Sequence, residues 1–223
     1  LTWSVDTNAT NGVATVSGTG SSPATFSYVP DGNYSGGDSF VVQVSDGALA
    51  DTVTVTVTVN AVDDAPVITQ GSSLSTKTGN EDTTFTWTAA ELNATDADTS
   101  SGSLTWSVDT NATNGVATVS GTGSNPTTFT YVPDGNYSGG DSFAVQVSDG
   151  TSADTVTVAV TVNPVNDAPA IVQGTALTVT MTEDDIASWV APELNATDVD
   201  SADNTLTWSL ETNATHGTAN ATG

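Results

Sequence analysis

The sequence has no cysteine, one basic side chain (Lys77) and one histidine (His216) among 223 residues. Without thiols there is no disulfide to staple the fold and no soft-metal ligand set. A single cation stands against 26 acidic side chains, giving a formal charge of -25. Nothing in the chain can neutralise phosphates, so no nucleic acid is expected as a partner. An anionic membrane surface would repel it for the same reason. No apolar run approaches the ~20 residues that a spanning helix needs, so no membrane insertion is expected. Hydrophobic residues make up 36% of the chain, enough for small sandwiches whose strands bury alternate side chains.

What the sequence does have is repetition. Residues 1–62 recur at 104–165 with eight substitutions. Leu1-Thr2-Trp3-Ser4-Val5-Asp6 returns as Leu104-Thr105-Trp106-Ser107-Val108-Asp109, and more loosely as Leu206-Thr207-Trp208-Ser209-Leu210-Glu211. The period is 103 residues from Leu1 to Leu104 and 102 from Leu104 to Leu206. Self-similarity of this kind marks an array of structural units. Unit boundaries fall at two Pro-bearing linkers, Asn60-Ala61-Val62-Asp63-Asp64-Ala65-Pro66 and Asn163-Pro164-Val165-Asn166-Asp167-Ala168-Pro169. Residues 63–165 therefore read as one complete unit, 1–62 as the later strands of a preceding unit, and 166–223 as the early strands of a following one.

Within a unit the hydrophobic period is two. Residues 153–163 place Val156, Val158, Val160 and Val162 on one face, and residues 141–149 place Phe143, Val145 and Val147 inward. Shorter runs at 83–88, 104–108, 115–120 and 127–132, with an irregular one at 67–78, bring the total to about seven strands in ~100 residues. Turn residues such as Asn114-Gly115 and Pro133-Asp134-Gly135 separate them. The expectation is an all-β fold of tandem seven-stranded Greek-key sandwiches of immunoglobulin type, without a core disulfide. The five Trp are expected in the cores rather than on a sugar-binding platform.

The carboxylates repeat with the units. Asp63-Asp64 in the first linker corresponds to Asn166-Asp167 in the second, Glu81-Asp82 to Glu183-Asp184, Asp96-x-Asp98 to Asp198-x-Asp200, and Asp46 to Asp149. Hard cations such as calcium take six to eight oxygens from carboxylates, amides, backbone carbonyls and water. A chain with no Cys, one His and clustered carboxylates suits calcium better than zinc or copper.

These residues resemble the cadherin family, and within it the cadherin-like tandem repeats of giant bacterial adhesins. The linkers are similar to the Asp-x-Asn-Asp-Asn-Ala-Pro junction, which Asn166-Asp167-Ala168-Pro169 matches in its second half. Tyr137-Ser138-Gly139-Gly140-Asp141-Ser142-Phe143, running to Ser148-Asp149-Gly150, is similar to their Tyr…Gly-x-Asp-Ser-Phe…Val-Ser-Asp-Gly strand. The resemblance implies short calcium-binding linkers. It assigns Asn60, Asp63, Asp64, Asp96, Asp98 and Asp149 to the first junction, and Glu81, Asn163, Asn166, Asp167, Asp198 and Asp200 to the second. The linker-opening Asp of the family is Asn60 or Asn163 here. Its mid-domain Asp-x-Glu is Asn136-Tyr137-Ser138, a departure that Asp134 or Asp141 would have to make good.

The functional expectation is a calcium-stabilised, extracellular or cell-surface stalk repeat whose partners are neighbouring repeats. One alternative is a homopolymeric filament, in which residues 166–205 of one chain supply the early strands that residues 1–62 of another lack. A carbohydrate-binding module is the other. No enzyme is expected: a Ser-His-Asp arrangement would have to use His216, whose equivalents in the other copies are Asn11 and Asn114. An array seldom repeats an active site in every unit.

Overall fold

The computed structural model describes residues 1–188, 194–201 and 205–221. Strands dominate, and no helix among the described residues is long and apolar enough to cross a membrane. Residues 1–60 carry β1 (Thr2–Thr7), β2 (Gly12–Thr19), β3 (Thr25–Pro30), β4 (Gly36–Ser45) and β5 (Ala50–Val59), hydrogen-bonded in the order β3-β2-β1-β4-β5. The next stretch opens with four short strands: β6 (Val67–Ile68), β7 (Lys77–Asn80), β8 (Phe85–Thr86) and β9 (Ala94–Thr95). Five longer ones follow: β10 (Thr105–Thr110), β11 (Gly115–Thr122), β12 (Thr128–Pro133), β13 (Gly139–Ser148) and β14 (Ala153–Asn163). Their hydrogen bonds run in the order β7-β14-β13-β10-β11-β12-β8, with β6 paired separately to β9.

This seven-membered order folds over on itself at β11. Antiparallel pairing of β10 with β11 covers only Thr105↔Thr122 and Trp106↔Gly121, whereas β11 follows β12 from Gly115↔Pro133 to Ser120↔Thr128. Gly121, at φ +131°, makes the bend, and a Cβ there would lie 2.6 Å from the Thr127 nitrogen. One layer is thus β7-β14-β13-β10 and the other β11-β12-β8, the two-layer sandwich expected from the period-two runs. β7 joins parallel to β14, from Val160↔Lys77 to Asn163↔Asn80, and β8 joins antiparallel to β12 through Tyr131↔Phe85. The segment between β7 and β8 crosses from one layer to the other beside the second linker.

The core lies between the layers and is aromatic at its centre. The Phe143 ring stacks on Tyr131 at 5.8 Å and meets Trp87 edge-on at 5.8 Å, while Trp87 stacks on Phe129 at 4.3 Å. Val145, Val147, Val156, Val158, Val160 and Val162 are buried around them, on the faces the alternation assigned. Trp87 and Trp106 are core residues, and Lys77 lies over the Trp87 ring at 5.0 Å while reaching Glu91 at 3.3 Å. Trp189 lies outside the described residues.

Residues 1–60 repeat the later part of this architecture, β10–β14, without counterparts of β6, β7, β8 and β9. The consequence shows at matching positions. Phe129 is 4% exposed and Phe26 58%; Val156 is 1% exposed and Val53 57%. Only Ala14, Val16, Phe40 and Val42 are fully buried in the first set of strands.

In residues 166–221 the described strands are β15 (Ala170–Ile171) and β16 (Ala196–Thr197), paired as β6 is to β9. Residues 206–210, which repeat the sequence of β1 and β10, are not a strand. In the other copies that segment pairs along its length with β4 or β13, and no counterpart of those strands exists among the described residues here.

Candidate metal centre

Each junction collects acidic side chains because turn chemistry puts Asp at the strand ends facing the linker. Asp96 follows β9, and its Oδ1 accepts the backbone N–H groups of Asp98 at 3.0 Å and Thr99 at 2.7 Å, closing an Asx turn. Asp198 does the same with Asp200 at 2.9 Å and Ser201 at 2.8 Å. Asp149 ends β13, and its Oδ1 accepts Thr151 N–H at 2.6 Å and Ser152 N–H at 2.7 Å, shaping the hairpin into β14 with Gly150 at φ +106°. In Asp96 and Asp149 one carboxylate oxygen builds the turn and the other has no hydrogen-bond partner.

At the first junction Asp96, Asp98 and Asp149 meet the linker. Asp64 N–H donates to Asp98 Oδ2 at 3.4 Å, and Ser152 Oγ donates to Asp63 Oδ2 at 2.8 Å. A cleft of about 280 Å³ there is lined by Asn60, Asp64 and Asp98 together with Asp31 and Asn33 from the end of the first set of strands. Asp98 is pushed up in pKa, first by hydrogen bonding to the Asp96 carboxyl, then by burial and by the charges of Asp96 and Asp63. Asp96 is held low by its backbone N–H donors. Two carboxyls in contact, one pushed towards protonation, describe a place short of positive charge.

At the second junction Glu81 is the one buried charged side chain among the described residues, 2% exposed. Its Oε1 accepts Val165 N–H at 2.5 Å, and its own N–H donates to the Asn163 carbonyl at 2.9 Å, which ties the β7–β8 crossing to the linker. Asp167 N–H donates to Asp200 Oδ2 at 2.6 Å. The Asp167 carboxyl is pushed up by burial and then by repulsion from Asp200, Asp82, Glu81 and Asp198. Asn166 turns its amide onto the Asp167 carbonyl at 2.8 Å.

Among the described residues, three buried carboxylate oxygens have no hydrogen-bond partner: Asp96 Oδ2, Asp149 Oδ2 and Asp167 Oδ2. All three belong to residues assigned to the junctions. An unpartnered buried carboxylate oxygen is costly unless a cation faces it, and all-oxygen surroundings suit a hard ion such as calcium. The residues present therefore fit the group. No three acidic or histidine side chains among the described residues form a ready cage, so Asn, backbone and water oxygens would have to complete the shell.

Asp82, which recurs as Asp184, and Asn136 all adopt left-handed backbone, at φ +58°, +65° and +59°, and Asn136 N–H reaches Asp82 Oδ1 at 3.4 Å; Asp and Asn tolerate that region best after glycine. One contact partner was not legible from spacing. Ser152, which holds Asp63, is Leu49 in the other copy.

Asp141 is a correction. It does not substitute for the missing Glu, because its carboxylate is consumed inside the sandwich. It accepts the N–H groups of Asn114 at 2.8 Å and Thr113 at 3.2 Å, and the Tyr131 hydroxyl at 2.9 Å. Burial raises its pKa, but those donors and Ser142 N–H outweigh the burial and leave it lowered. Tyr131 is correspondingly raised by burial and by Asp141. Asp38 and Tyr28 repeat the pair, and there Tyr28 is pushed up to about 12.

The family model described as bacterial Ig domain matches residues 1–60 and 63–163. Among solved structures, an endo-fucoidan hydrolase of glycoside hydrolase family 107 is similar at 22% identity and a TM-score of 0.30, over 72% of this chain and 23% of that one. The extracellular cadherin domains 1–4 of protocadherin gamma B7 are similar at 16% identity and a TM-score of 0.40, over 92% of this chain and 52% of theirs. Domains 4 and 5 of the S-layer protein SbsC follow at 19% identity and a TM-score of 0.28, over 71% and 70%. The chain thus spans less than a quarter of the hydrolase it matches. No curated protein sequence matches it.

Proposed function

Given that the chain belongs to the bacterial Ig-domain family, through two consecutive matches, we propose that it is an extracellular, surface-associated spacer whose consecutive sandwiches are locked in line by calcium at the junctions. The observation that carries this reading is the set of buried, unpartnered oxygens on Asp96, Asp149 and Asp167. They lie at the two linkers that flank the complete sandwich, in a chain with one basic side chain.

The protein's own part is to hold carboxylates together against their repulsion. Asp96, Asp149 and Asp198 use one oxygen each for turns that the backbone closes, so their second oxygens are oriented without further cost in side-chain entropy. Glu81 grips the linker by its backbone, so an ion drawn to the second junction would stiffen a segment already fastened to the complete sandwich. Bound calcium would supply the counter-charge that cancels the repulsion around Asp98 and Asp167. At the ~10⁻⁴–10⁻³ M affinities of extracellular modules, such a joint stiffens only in calcium-rich surroundings.

Non-catalytic spacing also accords with the two groups most able to do chemistry. Lys77 is engaged by Glu91 and the Trp87 ring, and His216 is solvent-exposed. The test is small-angle scattering and thermal melting across a calcium titration, with a chelator control. Added calcium is expected to raise the melting temperature and lengthen the particle, and the Asp96→Asn/Asp149→Asn double variant to lose the first-junction share of both. If neither dimension nor melting temperature responds to calcium, the reading fails.

A further inference from the structure

We infer that Asn114 is a self-modification site, its side-chain amide being displaced by the Gly115 backbone nitrogen when this end of the complete sandwich opens. Asn114-Gly115 stands where β11 begins, and the pair recurs as Asn11-Gly12 at the start of β2. Glycine is forced there by packing. A Cβ on Gly115 would lie 2.5 Å from the Val132 carbonyl oxygen and 2.7 Å from the Tyr131 ring. Asparagine is not forced: Asn114 lies outside the left-handed region that favours it, and His216 holds the position in the third copy.

The reaction consumes only water. The Gly115 nitrogen gives up its proton to solvent base and bonds to Asn114 Cγ. The Cγ–Nδ2 bond then breaks and ammonia leaves. Water adds to either carbonyl of the resulting succinimide and opens the ring. One product carries aspartate at 114; the other is isoaspartate, whose main chain runs through the former side-chain carbonyl. Glycine obstructs the attack least because it has no Cβ.

The closed sandwich withholds the nucleophile. The Asn114 carbonyl and the Gly115 nitrogen share one rigid peptide plane. That plane is pinned at the carbonyl by the Tyr131 hydroxyl at 3.1 Å and by Asp134 N–H at 2.9 Å. On its other side Asn114 donates its own N–H to Asp141 Oδ2 at 2.8 Å. Turning the Gly115 nitrogen onto Cγ turns the carbonyl away from both donors, so the ring closes only after they let go. Conversion therefore follows the population of the opened state. Asn11 is pinned alike by Tyr28, Asp31 and Asp38.

The change is one-way. Isoaspartate lengthens the main chain by one carbon just before Gly115, where Val132 and Tyr131 leave no room. Either product adds a carboxylate next to a backbone group bonded to Asp141, in a chain with one basic side chain. A sandwich that has stayed open long enough to react is marked, and its β11–β12 pairing is weakened for good.

Incubating the 223-residue chain at mildly alkaline pH, with peptide mass spectrometry at Asn114, tests this; a chelator throughout makes the outcome independent of calcium. Conversion is expected to be slow in the native chain, fast in the urea-unfolded chain, and to rise through the urea transition in step with unfolding. Asp141→Asn removes one pin, and Phe129→Ala loosens β12 without touching Asn114. Each is expected to speed conversion about tenfold or more. Converted chains returned from urea should melt below unconverted ones. A native chain that converts as fast as the unfolded one, or a rate that neither urea nor the two variants change, overturns the inference. Equal melting of converted and unconverted chains overturns the lasting mark.

Discussion

Phe129→Ala and Phe26→Ala are the same change in nearly the same local sequence, so their difference isolates what cover by β7 and β8 contributes. Phe129 stacks on Trp87 at 4.3 Å, meets Phe143 edge-on at 6.2 Å and is 4% exposed. Truncating such a residue leaves a cavity between two layers that cannot collapse, at a cost of about 3–5 kcal/mol. Phe26 keeps only a tilted contact with Phe40 at 6.1 Å and is 58% exposed. The buried minority of its surface is worth about 1 kcal/mol. Native-state hydrogen exchange read by mass spectrometry gives each unit's stability separately. Peptides from the two copies differ in mass at Ser27/Thr130 and Thr56/Ala159, so they can be told apart. Phe129→Ala is expected to accelerate exchange of β11–β14 strongly. Phe26→Ala is expected to barely alter β2–β5. Equal losses at the two sites would refute the account of the half-covered sandwich.

Asp141→Asn leaves three backbone donors and the Tyr131 hydroxyl facing a neutral amide, and is expected to cost about 1.5–3 kcal/mol in urea unfolding. Because Asp141 is lowered in the folded state, its contribution is full above the unfolded value near ~3.9 and is lost as pH falls through the folded one. The stability gap between wild type and Asp141→Asn should therefore shrink on acidification; a gap that widens contradicts the assignment. Calcium at 100 times its dissociation constant is expected to add about 2.7 kcal/mol per site, and Asp167→Asn should remove that gain at the second junction only, as read by calorimetry with and without chelator. Gly115→Ala places a Cβ 2.5 Å from the Val132 carbonyl oxygen and 2.7 Å from the Tyr131 ring. It is expected to cost about 1–3 kcal/mol, and a neutral result in thermal melting would mean that β11 and β12 can part without loss.

Much of this molecule was legible in its sequence, and the reasons are local. Alternation along residues 153–163 needs only the period-two geometry of a strand to place Val156, Val158, Val160 and Val162 on one face, and they are buried together. Asx turns at Asp96, Asp149 and Asp198 depend on neighbours two or three residues away, so the recurrence of these carboxylates with the repeat was readable, while their assignment to junctions came from the resemblance. Other properties were decided by groups distant in the chain. Asp141 is a core staple because strand pairing brings Asn114 and Tyr131 to it. Glu81 is buried because the second linker, more than eighty positions later, closes over it. Residues 206–210 share the pattern of β10 but form no strand, since the pairing partner that β10 finds in β13 has no counterpart among the described residues. Phe26 and Phe129 make the distinction sharpest. Their local sequences are nearly the same and both face inward from a strand, yet only Phe129 is covered, by Trp87 from a segment about forty residues earlier. Strand and facing are set by near neighbours; burial is set by whichever segment arrives to complete the second layer.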